Sequence, residues 1–328
     1  MGRFPSTTVR GLTVRTRPIA LLSTVAAATL ILAGCSGSSE PESTSTEEAA
    51  TDLCSLAADS GEASDSVTIE GSVGEVSTAT FELGQSFDSL QRTVVSEGDG
   101  DEIADGDIVS YALSAFDTES GERLGDAGYV EGELLPAQIT ADSGLAEIMG
   151  CATIGSRLSV AYPATDSSSA AFYIVDVLGT VPDAAWGTEQ EPVDGMPTVT
   201  LAEDGTPSVE LPDTEAPAEL QIAVLKEGDG ATVGEGDTTL LQYHGVSWDT
   251  GEVFDSSWAN GAPISSSGNG YVEGFVQALE GQKVGSQVLV VIPPELGYGE
   301  GEINDEDLVG QTLVFVIDIL ANQTAATE

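Results

Sequence analysis

The chain repeats itself at a fixed offset. Val94-Val95-Ser96-Glu97-Gly98-Asp99-Gly100 returns 130 positions later as Val224-Leu225-Lys226-Glu227-Gly228-Asp229-Gly230. At the same offset Gly106-Asp107 returns as Gly236-Asp237, and Ile154-Gly155-Ser156 as Val284-Gly285-Ser286. Thr118-Glu119-Ser120-Gly121-Glu122 corresponds to Trp248-Asp249-Thr250-Gly251-Glu252. Near the ends Val175-Asp176-Val177-Leu178 matches Ile317-Asp318-Ile319-Leu320, now 142 apart, so the first copy is about 12 residues shorter before its last strand. A period this long means two tandem domains rather than a solenoid. They are expected over 53–182 and 217–322, with a connecting segment at 183–216 and a tail at 323–328. The connection is rich in Pro, Glu, Asp and Thr. Thr198-Val199-Thr200 and Ser208-Val209-Glu210-Leu211 alternate like short strands, which predicts a leading arm there and a flexible stretch nearer 187–193.

Within the second copy, β-rich runs at 220–225, 239–247, 287–292 and 312–320 are separated by Gly and Asp-Thr-Gly turns. Only 274–280 reads as helical, with Phe275, Ala278 and Leu279 on one face. Many strands and one short helix give an α+β fold, in which each domain is an antiparallel β-sheet wrapped around a short helix.

The N-terminus carries Arg3, Arg10, Arg15 and Arg17, with no acidic residue before Glu40. The apolar run at 19–33 is shorter than the ~20 residues a spanning helix wants, and it has the charge order of an export signal. It closes on Leu32-Ala33-Gly34-Cys35, which resembles the lipobox of bacterial lipoproteins. The resemblance implies a signal peptide at 1–34, lipidation of Cys35, and an extracytoplasmic protein held to the cell membrane by its lipid anchor only. The arginines form no twin pair, so general secretion is the expected route. Residues 35–52 read as a disordered tether of Ser, Glu, Thr and Ala. With Cys35 committed to lipid, Cys54 and Cys151 remain as an even pair, either a disulfide or two buried thiols. An oxidising compartment favours the bridge.

Five of the nine basic residues and all 55 acidic residues follow Cys35, an excess of about 50 negative charges. Such a surface is repelled by nucleic acid and by anionic headgroups, so neither is an expected partner. It could instead favour cationic clients. Acidic clusters such as Asp99-Gly100-Asp101-Glu102 do not match a Ca²⁺-loop spacing, and no metal or cofactor is expected. The single histidine, His244, has no nucleophile that spacing identifies.

The second copy carries an ordered aromatic set. Tyr243-His244-Gly245, then Gly251-Glu252-Val253-Phe254-Asp255-Ser256-Ser257, resembles the core signature of FKBP-type peptidyl-prolyl isomerases. The match runs on through Gly274-Phe275, Val284-Gly285-Ser286 and Ile292-Pro293-Pro294-Glu295-Leu296-Gly297-Tyr298-Gly299 to Thr312-Leu313-Val314-Phe315. This resemblance implies a peptidyl-prolyl cis-trans isomerase acting on X-Pro bonds of exported polypeptides, as a monomeric folding helper at the outer face of the membrane. A non-catalytic chaperone or binding module holding proline-containing segments is the alternative. It implies Asp255, Tyr298 and Phe254 as catalytic residues, and Tyr243, Ile264, Tyr271, Val272, Phe275 and Phe315 as the substrate-binding walls. Phe275 stands where the family usually has Trp, Ile264 where an aromatic is common, and Tyr271 where a small aliphatic is usual. The flap after Gly299 is strongly acidic, and Ile303 or Leu308 would supply its apolar contact. The first copy has Leu113, Leu124, Gly125 and Leu145 where the second has Tyr243, Phe254, Asp255 and Phe275. It is expected to be an FKBP-like domain without a working site.

Overall fold

The structure is a computed structural model that describes residues 52–166, 168–268, 270–303 and 307–326. Cys35, the leader and nearly all of the tether lie outside the described residues.

In the N-terminal half a one-turn helix α1 (Glu62–Asp65) leads into a hairpin of β1 (Thr68–Glu70) and β2 (Thr78–Thr80). Strands β3 (Gln91–Ser96), β4 (Ile108–Asp117), β5 (Arg123–Ala127), β6 (Ala137–Gln138), β7 (Arg157–Tyr162) and β8 (Ala171–Val181) follow, with helix α2 (Gly144–Met149) between β6 and β7. They form an antiparallel sheet in the order β3-β7-β8-β4-β5, with β6 pairing on β4.

The C-terminal half adds β9 (Thr188–Glu189), a hairpin of β10 (Thr198–Leu201) and β11 (Pro207–Glu210), then β12 (Gln221–Glu227), β13 (Thr238–Ser247) and β14 (Val253–Ser256). One-turn helix α3 (Ser257–Asn260), β15 (Ile264–Ser266), helix α4 (Glu273–Leu279), β16 (Gln287–Ile292) and β17 (Leu313–Gln323) complete it. The order β12-β16-β17-β13-β14 reproduces that of the first sheet strand for strand, and β9 extends the edge beyond β12. The molecule is therefore mostly β, with α2 and α4 of only six and seven residues.

Strand β16 shows why sequence periodicity is weak here. All six of its residues are buried, because the sheet is covered on both faces. Val288, Val290 and Ile292 point to the α4 face with Phe275, Ala278 and Leu279. Leu289 and Val291 point to the other, with Val314 and Val316, against Val199 and Val209 of the β10–β11 hairpin. Helix α4 sits close because Gly274 has no side chain: a Cβ there would lie 2.5 Å from Ile292. In the first sheet the β1–β2 hairpin does the same work. Ile69 and Ala79 pack against Phe116, Phe172 and Ile174.

One expectation is corrected. The stretch around 187–193 is not a free linker, since Thr188 and Glu189 pair with Glu227 and Lys226 of β12. Trp186 beside it lies over Gly285, where a Cβ would be 2.8 Å from the indole. The start of the tail expected at 323–328 reaches back to the first sheet's side. Gln323 donates to the Glu133 carbonyl at 2.9 Å and the Thr324 N–H to the Gly132 carbonyl at 2.8 Å. Ile108, Leu240 and Leu320 form a small apolar contact between the sheets, and the described residues belong to one compact unit.

Cys54 and Cys151 are joined as a disulfide with Cα atoms 4.5 Å apart. Their sulfurs and Glu102 form a group compact enough to hold a metal, but the sulfurs are bonded to each other. Among the described residues no helix is long and apolar enough to cross a membrane.

Candidate active site

The site forms at one end of the second sheet, where β13 and β17 present aromatic residues to α4. Gly245 on β13 faces Phe315 on β17, and a Cβ on Gly245 would lie 2.6 Å from the Phe254 ring and 2.9 Å from the Phe315 ring. That bare stretch of backbone lets the two rings meet edge-on with centroids 5.4 Å apart. Phe315 meets Phe275 at 5.1 Å in the same geometry, and Tyr271 stacks on Phe275 at 5.1 Å. Tyr243 closes the set, 6.3 Å from Phe275 and 6.2 Å from Phe315.

Tyr243 and Asp255 tie this apolar box to a polar rim. The Tyr243 hydroxyl donates to Asp255 Oδ2, while the Ser256 N–H and the Asn260 amide donate to Oδ1 at 2.8 and 3.4 Å. All three donors are neutral, so the carboxylate is oriented without its charge being cancelled. Burial, and then the bond and charge of Asp255, push the Tyr243 phenol well above its ordinary value. The Tyr271 phenol is raised as well, by burial first and by Asp255 second. Ser257 fixes the strand beneath, accepting from the Tyr243 N–H at 2.8 Å.

A cleft of about 620 Å³ opens at this rim, lined among others by Phe254, Asp255, Tyr298 and Leu308. The three expected catalytic residues therefore share one cleft. The expected binding residues do not line it. Phe275 and Phe315, 1% and 6% exposed, are core, while Ile264, Tyr271 and Val272 are half-buried against the same cluster. Phe254 joins the two groups, lining the cleft and packing on Phe315. Tyr298 stands at the mouth, 54% exposed. Of the two flap candidates, Leu308 packs on the box and Ile303 is 50% exposed.

Sequence reasoning missed Glu252, Asp307 and Gln311 on the cleft wall, and Asn260 as a partner of Asp255. Glu252 lies inside the recognised 251–257 motif and Asp307 in the acidic flap, and those positions were their only signal. His244 does meet Ser256, Nδ1 to Oγ 3.2 Å, but both are buried and neither lines the cleft. Burial lowers the imidazole pKa, and the pair is a packing feature rather than a relay.

The comparisons agree with this geometry. The FKBP-type peptidyl-prolyl cis-trans isomerase family matches residues 230–320. A probable FK506-binding protein of Corynebacterium glutamicum is 40% identical over 115 residues, covering 35% of this chain and 97% of that protein. An FK506-binding protein of Streptomyces anulatus is 41% identical over 118 residues, covering 35% of this chain and 95% of that one. The outer membrane protein MIP of Legionella longbeachae is 32% identical over 110 residues, covering 34% of this chain and 47% of its own length. The chain belongs to the FKBP-type peptidyl-prolyl cis-trans isomerases, and it is an isomerase of that type.

Proposed function

We propose that this isomerase acts on X-Pro bonds of exported polypeptides, from an extracytoplasmic position where a lipid on Cys35 holds it to the membrane. The observation that carries the catalytic reading is the Tyr243–Asp255 hydrogen bond at the edge of the aromatic box, beside a cleft that also holds Phe254 and Tyr298. Rotation about a prolyl peptide bond breaks amide resonance against a barrier of about 18–20 kcal/mol. No proton transfer or covalent step is needed. The site has to favour the twisted amide, which is less conjugated and less polar than the planar one.

In this reading Phe254 and the half-buried faces of Tyr271, Val272 and Ile264 grip the proline ring. Tyr243, Phe275 and Phe315 stiffen that wall from behind. Tyr298, exposed at the mouth, donates its hydroxyl to a substrate carbonyl, and Asp255 faces the rotating amide. The first sheet, with Leu113, Leu124, Gly125 and Leu145 at the corresponding positions, supplies no such set and acts as a non-catalytic FKBP-like domain.

The location rests on the basic leader, the lipobox-like Leu32-Ala33-Gly34-Cys35, and a disulfide that needs an oxidising compartment. The likeness to a relative named as an outer membrane protein supports it too. Isomerisation needs no ATP, which suits such a compartment, and the chain is expected to work as a monomer.

The test is a proline-limited peptide or refolding assay on the purified chain. Acceleration above background, lost on Asp255→Ala with Tyr298→Phe, is expected. Binding of unfolded clients without acceleration would instead favour the holding-module reading. Mass spectrometry of the membrane-extracted protein should find Cys35 acylated, and a free thiol there would remove the anchor.

A further inference from the structure

The cleft wall carries more charge than isomerisation asks for. Glu252, Asp255 and Asp307 all line it, and none of its lining residues is basic. Asp255 is held by a phenol, a backbone N–H and an amide, none of which offsets its charge. From residue 217 onward the chain has only two basic residues besides the buried His244, and both are engaged away from the cleft. Lys226 donates to the Ala185 carbonyl at 3.0 Å, and Lys283 pairs with Glu227 at 3.1 Å.

We infer that Glu252 and Asp307, acting with Asp255, make this site select X-Pro segments that carry lysine or arginine beside the proline. This rests on the isomerase reading of the same cleft. Phe254, which lines the cleft in front of the apolar box, seats the proline ring beside Glu252, Asp255 and Asp307 whatever its neighbours are. The residues just before and after it must then lie across the carboxylates. A cationic neighbour is drawn in and an acidic one repelled. At surface dielectric each charge pair at such range contributes modestly, and several acting together set the preference. Salt at a Debye length shorter than the cleft should erase it.

The experiment measures kcat/KM of the purified chain on three matched peptides, Ala-Lys-Pro-Phe, Ala-Leu-Pro-Phe and Ala-Glu-Pro-Phe. Each is run at about 0.01 M and about 1 M NaCl, where the screening length falls from about 30 to about 3 Å. The lysine peptide should exceed the glutamate peptide by about tenfold at low salt and by less than about twofold at high salt. Glu252→Gln with Asp307→Asn should shrink the low-salt ratio toward one. Equal rates for the lysine and glutamate peptides, with the leucine peptide turned over, would overturn the preference and leave the isomerase intact. A ratio that neither salt nor the double variant moves would overturn the assignment to these carboxylates. Failure of all three peptides would remove the isomerase reading and this inference together.

Discussion

Cys151 sits in a left-handed backbone conformation, φ 62°, that its repeat counterpart Gly281 fills at φ 80°. Both follow the helix of their sheet, where a chain that must turn sharply favours glycine. Cys151 is the one described non-glycine residue with positive φ. It accepts that cost because its sulfur reaches Cys54, beside Leu53, which is 4% exposed in the first core. The bridge closes a loop of 97 residues, which in the chain-entropy account contributes about 4–5 kcal/mol.

The two contributions separate in a mutant series. Cys54→Ser removes the bridge and should cost about 2–5 kcal/mol in urea denaturation. Adding Cys151→Gly should recover up to about 1 kcal/mol, since the strained position no longer has a reason to hold a side chain. A double variant less stable than the single one would refute the strain account.

The buried polar pair of each sheet is solved differently. Arg157 Nε donates to Asp176 Oδ1 at 2.6 Å, and its other nitrogens reach the carbonyls of Gly71, Ser72 and Glu75, fastening the β1–β2 loop. In the second sheet Gln287 donates to Asp318 at 2.8 Å, and the Ala185 N–H takes the other oxygen at 2.7 Å. Putting the second solution into the first sheet, Arg157→Gln, would leave the buried Asp176 carboxyl without its cationic partner and three carbonyls without their donor. The expected loss is about 3–5 kcal/mol, read as a lowered urea midpoint.

Much of the second sheet was legible because its motifs sit at turns and strand ends, where Gly and Asp are forced. Helix α4 and the run 287–292 needed only their own residues. The β10–β11 hairpin was readable from the alternation at 198–200 and 208–211, whereas the β1–β2 hairpin was not. Thr68-Ile69-Glu70 and Thr198-Val199-Thr200 lie at the repeat's own offset of 130, so the repeat begins earlier than Val94. Three residues with one identity do not announce that, and what fixes them is the apolar face each hairpin covers. The site divided similarly. Tyr243, Asp255 and Tyr298 were readable from motifs, whereas the core burial of Phe275 and Phe315 depends on how α4 packs. The Arg157–Asp176 contact had no local signature, since its members meet only through strand register.

Asp318 gives a pH dependence with a definite sign. Burial pushes its carboxyl above the ordinary value, with the Ala185 N–H and the Gln287 amide pulling partly back. The unfolded chain therefore gives up this proton at lower pH than the folded chain does. Between the two values the folded state holds more protons, so this residue's contribution falls as pH rises and stays lower above. Asp318→Asn removes the equilibrium. The stability of the wild type relative to this variant should be greatest in acid and decline as pH is raised from about 4. Urea titrations of both proteins across pH would show it, and a pH-independent difference would count against it.

Gly245 is the position where packing and catalysis separate most cleanly. Its missing Cβ is what allows Phe254 and Phe315 to meet over the strand; an added methyl would lie 2.6 Å from one ring and 2.9 Å from the other. The first sheet has Ala115 at the corresponding register, opposite Tyr173, and Leu124 in place of Phe254, so the Tyr173 ring meets Tyr162 edge-on instead. In Gly245→Ala the half-buried Phe254 ring is the freer of the two to move, because Phe315 is held in the core. The ring would swing toward the cleft it now lines. The fold should lose only about 1–3 kcal/mol, the usual cost of overpacking. Isomerisation should fall by about tenfold or more, as a misplaced wall no longer fits the twisted proline. Peptide kinetics and urea denaturation on the same preparation separate the effects. Full activity in a stably folded Gly245→Ala protein would mean that the Phe254–Phe315 contact plays no part in holding substrate.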